Sequence, residues 1–286
     1  MPGCAPCSPF RSLCGYIPVA LQLKGEASGE SRPAALAEWV QQKREQLRRL
    51  AAPDVRHLVP TVQDFAQAVS TGRHQLSVVA EIARATPEEG QLRQSLDVAQ
   101  LSALIEPAGA AALAVATDEV ACAAQPLDLP LAARASDCPV VARDLILAPE
   151  QLYRLRLMGA DAALLTAGAL QAPQLRSFIE ILASMHMSAP VEVANEEELL
   201  ASAAAGARLF VIPAFGPGGL SLALADALLP KVPRTAAVLV RGPFTPTADL
   251  APLRGRADGI WIAGPWMGAE DPASFLEQLV RAAETG

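Results

Sequence analysis

A turn of small residues running straight into a short apolar segment occurs four times, at residues 109–116, 159–165, 206–212 and 256–262, with starts about 50 residues apart. Further apolar runs lie between the copies, at 78–81, 140–143, 191–193 and 237–240. The underlying beat is one strand about every 25 residues. Eight short strands, each followed by a helical stretch, predict an α/β fold of the (β/α)8 TIM barrel type with an N-terminal helical extension.

The beat places strands at 78–82, 112–116, 139–143, 162–166, 190–194, 208–212, 236–241 and 259–263. Helices are expected at 97–107, 129–135, 149–158, 170–186, 196–204, 221–229, 247–254 and 272–284. Ahead of the barrel, Leu36, Trp39, Val40, Leu47 and Leu50 fall near helical spacing among charged residues, which predicts an amphipathic helix over 34–50. A second short helix is expected over 62–69. Residues 1–33 lack sustained periodicity and contain Pro2, Pro6, Pro9, Pro18 and Pro33, so they read as a disordered or loosely attached tail. The expected organisation is a tail at 1–33, a helical extension at 34–77 and a barrel at 78–286.

With 51% hydrophobic but only 4% aromatic residues, the barrel has to be packed mainly with Ala, Val, Leu and Ile. A net charge of −7 without a basic stripe argues against nucleic acid as a partner. No apolar run reaches the roughly 18–20 residues of a membrane helix, and residues 16–23 are too short for a signal peptide, so a cytoplasmic protein with no membrane contact is expected. Cys4 and Cys7 have the spacing of half a zinc site, but neither a second Cys pair nor a His pair completes it, and Cys14 stands apart. His57, His74 and His186 are scattered, which excludes a catalytic triad. Neither metal nor cofactor is expected. Positive charge is nearly all arginine: Lys24, Lys43 and Lys231 are the only lysines, and none stands at a predicted strand end.

In such a barrel the loops after the strands form the concave face, so polar side chains at strand C-termini are the candidates for chemistry. Here these are Glu81, the run Thr117-Asp118-Glu119, Arg143 with Asp144, Glu192 and Arg241. A carboxylate between Val191 and Val193 is costly to bury unless paired or used. Glu81 and Glu192 are expected to face the mouth together, as acid–base groups or as partners for arginines. Three glycine turns, at Gly242, Gly264 and Gly218, could present backbone N–H groups to an anion. Pro243 and Pro265 delete donors from two of them, and the Arg241 fork could compensate. The run 216–219 is nonspecific and reads first as a flexible connector.

The string Val79-Ala80-Glu81-Ile82-Ala83-Arg84-Ala85-Thr86-Pro87 resembles the first barrel strand of the indole-3-glycerol phosphate synthase family, which ends in Glu-x-Lys-Arg-x-Ser-Pro. The resemblance extends from residue 78 to the C-terminus. It implies tryptophan-biosynthesis ancestry and a carboxy-lyase reaction that closes an indole ring on a phosphorylated carboxyphenylamino-deoxyribulose. It also implies catalytic roles at Glu81 and Glu192, a match at Asp118, and Thr86 in place of the serine. Two family lysines are replaced, one by Ala83 and one by Arg143, and Ile212-Pro213-Ala214-Phe215 stands where an Asn-rich run is usual. Arginine keeps the positive charge, but its pKa above about 12 makes it a poor proton donor near neutrality. Strand alternation aims Arg84 away from the mouth.

The resemblance therefore implies a barrel in which ring closure is lost or very weak, and which binds a small phosphorylated or carboxylated ligand or a protein partner. Two alternatives stand beside it: altered acid–base chemistry on an anionic substrate, using Glu81 or Glu192 as base with Arg143 and Arg241 as clamps, and residual ring closure.

Overall fold

A computed structural model of the chain describes residues 32–284 apart from Gly72 and His74. The tail, with Cys4, Cys7 and Cys14, lies outside the described residues except for its last two positions. Eight barrel strands appear where the beat puts them: β1 Ser77–Ile82, β2 Ala112–Ala116, β3 Val140–Arg143, β4 in two pieces (Ala162–Ala163 and Leu165–Thr166), β5 Pro190–Glu192, β6 Leu209–Pro213, β7 Ala237–Arg241 and β8 Gly259–Ile262. All pair in parallel, and β1 joins β8. The first piece of β4 pairs with β3 and the second with β5, which closes the ring.

The repeat that announces the strands has a physical basis. Gly109, Gly159 and Gly206 all adopt positive φ (80°, 104° and 105°), the left-handed conformation that ends a helix and turns the chain back into the sheet. The aspartates that follow in two copies act on the neighbouring strand. Asp161 accepts the Val140 N–H at 2.9 Å, and Asp258 accepts the Val238 N–H at 2.9 Å. Each satisfies a backbone donor at the start of the preceding strand, so this motif sets strand alignment at the closed end.

Alternation then sorts the side chains. Val79, Ala112, Ala114, Val141, Ala162, Leu164, Leu209, Val211, Leu239 and Trp261 fill the barrel interior together with Phe65 and Val69. Their neighbours, among them Val78, Ala80, Leu113, Ala142, Phe210, Val240 and Ile260, pack outward against the helices. Those helices are α3 Val98–Ser102, α4 Asp128–Ala135, α5 Pro149–Leu157, α6 Ala172–Ser184, α7 Glu196–Ala205, α8 Ala223–Leu228, α9 Gly264–Met267 and α10 Pro272–Glu284; α1 Arg32–Leu47 and α2 Phe65–Val69 precede the barrel. Residues 247–254 differ from expectation, forming only a 3-10 turn at Ala251–Leu253. Pro252 removes a donor there and Asp249 takes the Ala251 N–H, so an α-helix does not propagate.

The extension is tied to both ends of the barrel. α2, capped by Asp64 on the Gln67 N–H, pushes Phe65 and Val69 into the interior beside the strand N-termini. α1 lies at the other end. Its Trp39 and Lys43, one turn apart, both reach Asp118 after β2, at 3.0 Å each, and Lys43 also pairs with Asp144 after β3. Lys43 is buried, with 7% of its side chain exposed, so it functions as an anchor between two carboxylates. Burial alone would lower the Lys43 pKa, but Asp144 and Asp118 raise it above its ordinary value. Burial raises Asp118 as well, yet Lys43 and the Ala121 N–H bring it below the usual range. Asp144 is the excess acid: burial, with Asp118 beside it, pushes it up to about 6 despite Lys43.

A carboxyl whose folded pKa is raised binds its proton more tightly folded than unfolded, so its contribution to stability is lost as pH rises from about 4 through about 6. Asp144→Asn is therefore expected to raise the midpoint of thermal unfolding relative to the unmodified chain at pH 7 and to leave it nearly unchanged at pH 4. Paired melting curves over that range, with Trp39 fluorescence following α1, measure the effect.

Candidate functional site

At the C-terminal end of the barrel the interior pattern changes from apolar to charged. Two residues after Val79 comes Glu81, two after Val141 comes Arg143, and two after Leu239 comes Arg241; Glu192 takes the equivalent place on β5. These residues come one each from β1, β3, β5 and β7, the alternate strands that contribute one interior layer of a barrel of this kind. Their signs alternate, negative, positive, negative, positive. Arg143 Nη1 donates to Glu81 Oε1 at 3.1 Å, and Arg241 Nε donates to Glu192 Oε2 at 3.3 Å. Glu81 and Glu192 thus face the mouth together and each holds an arginine.

A fifth charge closes the layer. Glu88, from the loop after β1, sits between the two guanidiniums. Arg143 Nη2 donates to its two oxygens at 3.3 and 3.0 Å, Arg241 Nη1 donates to Oε2 at 3.4 Å, and Arg241 Nη2 donates to Oε1. Burial would raise this carboxyl, but Arg241 and Arg143 outweigh it and hold its pKa down to about 2. The two arginines, buried among acids, are held more firmly protonated than usual. Arg241 also lies over the Phe215 ring, 4.9 Å from its centroid.

Both tryptophans of the last strand and turn brace Glu81. Trp261 Nε1 donates to its Oε2 and Trp266 Nε1 to its backbone carbonyl, each at 2.8 Å. Cys122 contacts Arg143 Nη1 at 3.5 Å, and burial pushes its thiol well up, which leaves it a packing residue rather than a nucleophile. Beside the ladder, Glu89 accepts the Gly264 N–H at 3.1 Å; its carboxyl is raised, first by burial and further by Glu81 and Glu88. A Cβ on Gly264 would lie 2.2 Å from Glu89 Oε1, so this turn and the Glu89 carboxylate fit each other only because residue 264 is glycine.

The other residues singled out from sequence are placed as follows. Thr86 is buried and its hydroxyl accepts the Glu89 N–H, shaping the loop that carries Glu88. Asp118 belongs to the Lys43 anchor. The Gly242 N–H is taken by the Trp261 carbonyl at 2.9 Å. Gly218 is exposed at the tip of a small hairpin pairing Phe215–Gly216 with Gly219–Leu220. Arg84 points out of the mouth, onto Asp128 at the start of α4. Two clefts, of about 550 and 410 Å³, open elsewhere: one at the strand N-termini beside Arg73, Arg234 and Asp258, the other between α1, the loop at Leu147 and the start of α6 at Gln174. No group of metal-ligating side chains occurs among the described residues.

Asp144, a strand-end candidate, lies in the Lys43 anchor instead of the mouth, and Glu88, Glu89 and Lys43 were not among the candidate site residues. Glu88 and Glu89 carry one visible signal, an acidic pair in the turn Pro87-Glu88-Glu89-Gly90 beside the first strand.

The family model and the sequence relatives agree on the family. The family model for indole-3-glycerol phosphate synthase matches residues 32–279, which takes in the extension as well as the barrel. Proteins named indole-3-glycerol phosphate synthase from Parafrankia sp. and Mycolicibacterium gilvum are each 35% identical, over 78% and 72% of this chain and 84% and 77% of their own. One from Carboxydothermus hydrogenoformans is 33% identical over 58% of this chain and 63% of its own length. Among solved structures, tryptophan synthase from M. tuberculosis superposes with a TM-score of 0.59 at 14% identity, over 79% of this chain and all of that one, which supports the fold alone. On the family match and the two longer alignments, this chain belongs to the indole-3-glycerol phosphate synthase family.

Proposed function

We propose that this member of the family carries out ring closure slowly or not at all, and that its mouth is a receptor for a small anion. The observation that carries the reading is the Glu88 carboxylate clamped by Arg143 and Arg241. Two buried guanidiniums facing the mouth make a strong anion site, and the chain fills it with an acid of its own. Ring closure requires a proton donor at the reacting carbonyl and leaving hydroxyl. Position 143 supplies a guanidinium held more firmly protonated than usual, which binds charge but does not exchange protons near neutrality. Position 83 supplies only a buried methyl group packed with Ala116 and Cys122.

Altered chemistry with Glu81 or Glu192 as base is less well supported, because both carboxylates are engaged by arginines. Residual ring closure is the second reading. It draws on the relatives named for that activity and on Glu89, a carboxyl in the mouth raised by burial, which can exchange a proton where Arg143 does not.

Incubation of the purified chain with the phosphorylated carboxyphenylamino-deoxyribulose, followed by indole fluorescence, is expected to show no turnover above background. Arg143→Lys combined with Ala83→Lys is expected to produce measurable turnover; robust activity of the unmodified chain would overturn the proposal. Glu81→Gln is expected to destabilise the fold by about 3 kcal/mol, because it leaves Arg143 buried beside a neutral partner. Chemical denaturation checks this, and an unchanged midpoint would point instead to a dispensable, purely catalytic carboxylate.

A further inference from the structure

Glu88 differs from the rest of the ladder in two ways. Its side chain is 24% exposed, whereas those of Glu81, Arg143, Arg241 and Glu192 are 0%, 4%, 1% and 9% exposed. It also sits on a loop instead of a barrel strand. The loop is a short hairpin pairing Ala85–Thr86 with Gly90–Gln91, and its base is fixed: Arg84 is bound to Asp128, and the Arg84 carbonyl accepts the Leu92 and Arg93 N–H groups and Gln91 Nε2. The tip reaches the barrel through two carboxylates, Glu88 on the arginines and Glu89 on Gly264. Gly90, at φ +73° with open space around its Cβ position, takes the left-handed turn that closes the tip.

The slot that Glu88 fills is specific in shape and charge. Both of its oxygens receive N–H groups from both guanidiniums, an arrangement suited to a planar group with two acceptor oxygens. The surrounding groups, Glu81, Arg143, Arg241 and Glu192, sum to zero charge, and Glu89 lies next to them. A carboxylate replacing Glu88 leaves the alternation unchanged. A phosphate dianion would set four negative charges against two arginines in a poorly solvated site.

Resting on the reading of the mouth as an anion receptor, we propose that Glu88 is a tethered stand-in for the carboxylate of a small monoanionic ligand. The ligand enters by exchange: the hairpin tip swings out and the ligand's carboxylate takes the place between Arg143 and Arg241. Glu88 sets the selectivity, since a weaker or bulkier anion does not displace an acid held at high effective concentration.

Benzoate, whose ring suits a mouth containing Phe215, and inorganic phosphate serve as probes for calorimetric titration of the full chain and of Glu88→Gln. If the closed form holds more than about nine-tenths of the population, benzoate should bind Glu88→Gln at least about tenfold more tightly than the unmodified chain. It should also bind more tightly than phosphate, and the further change Arg241→Gln should abolish the gain. In the unmodified chain, saturating benzoate should speed hydrogen exchange at residues 88–90, a readout that does not depend on the variant folding. Equal benzoate affinity in the two proteins, with no change in exchange, would overturn the stand-in while leaving an anion receptor. No binding by either protein would overturn both, and phosphate binding more tightly than benzoate to Glu88→Gln would overturn the carboxylate assignment.

Discussion

The alternation of charge across the barrel mouth is the constraint on which the site depends. Taking an ion out of water costs several kcal/mol even after relaxation, and no single ion pair reliably offsets that for two groups. Here Glu81 has no exposed surface and Arg241 almost none. The arrangement holds because each member has partners on more than one side: Glu81 has Arg143 and both tryptophans, while Arg143 has Glu81, Glu88 and Cys122. The strands fix the order of signs, because the alternation that puts Val79, Val141 and Leu239 inside puts Glu81, Arg143 and Arg241 inside two residues later. The apolar layer and the charged layer are therefore one pattern, and the charged one cannot slip without the other.

The extension repeats the device with the same surplus of one acid but only one cation. Lys43 lies between Asp118 and Asp144, one cation between two acids, and the surplus appears as a raised pKa at Asp144. In the mouth, two arginines stand among three acids, and Glu88, gripped by both, falls to about 2. A buried carboxyl falls where two cations grip it, as at Glu88, or where N–H donors assist one, as at Asp118, and rises where it is the surplus acid, as at Asp144. α1 is consequently docked by a contact in which Asp144 gains its charge, at a cost, as pH rises through about 6, whereas Glu88 and its two arginines are held charged by one another.

Much of the barrel was legible because its signals are local. Left-handed glycines end helices and period-two alternation distinguishes inside from outside, both within a few residues of chain. That Glu81 and Glu192 share the mouth follows from the same alternation. The loop residues were not legible, since nothing in Pro87-Glu88-Glu89-Gly90 says whether Glu88 points into solvent or folds back onto arginines 55 and 153 residues further along. Lys43 was passed over because it stands on a helix outside the strand register, and only the docking of α1 brings it to Asp118. The glycine run 216–219 suited a turn of either kind, and the Phe215 to Leu220 pairing made it a hairpin.

Arginine at position 143 links these observations. A lysine there would carry the same charge, but its ammonium is a point donor and could not hold Glu81, Glu88 and Cys122 at once with planar geometry. The fork can, and in doing so it recruits the loop acid that fills the mouth. A small residue at position 83 fits this arrangement, since Ala83 packs with Ala116 and Cys122, and Cys122 in turn contacts the Arg143 guanidinium. A third cation at position 83 would compete with Arg143 for the same carboxylates and draw the ladder out of alternation. Positions 143 and 83 are thus physically coupled: the guanidinium at 143 carries a permanent charge, and the methyl group at 83 leaves room for that charge to be neutralised from within.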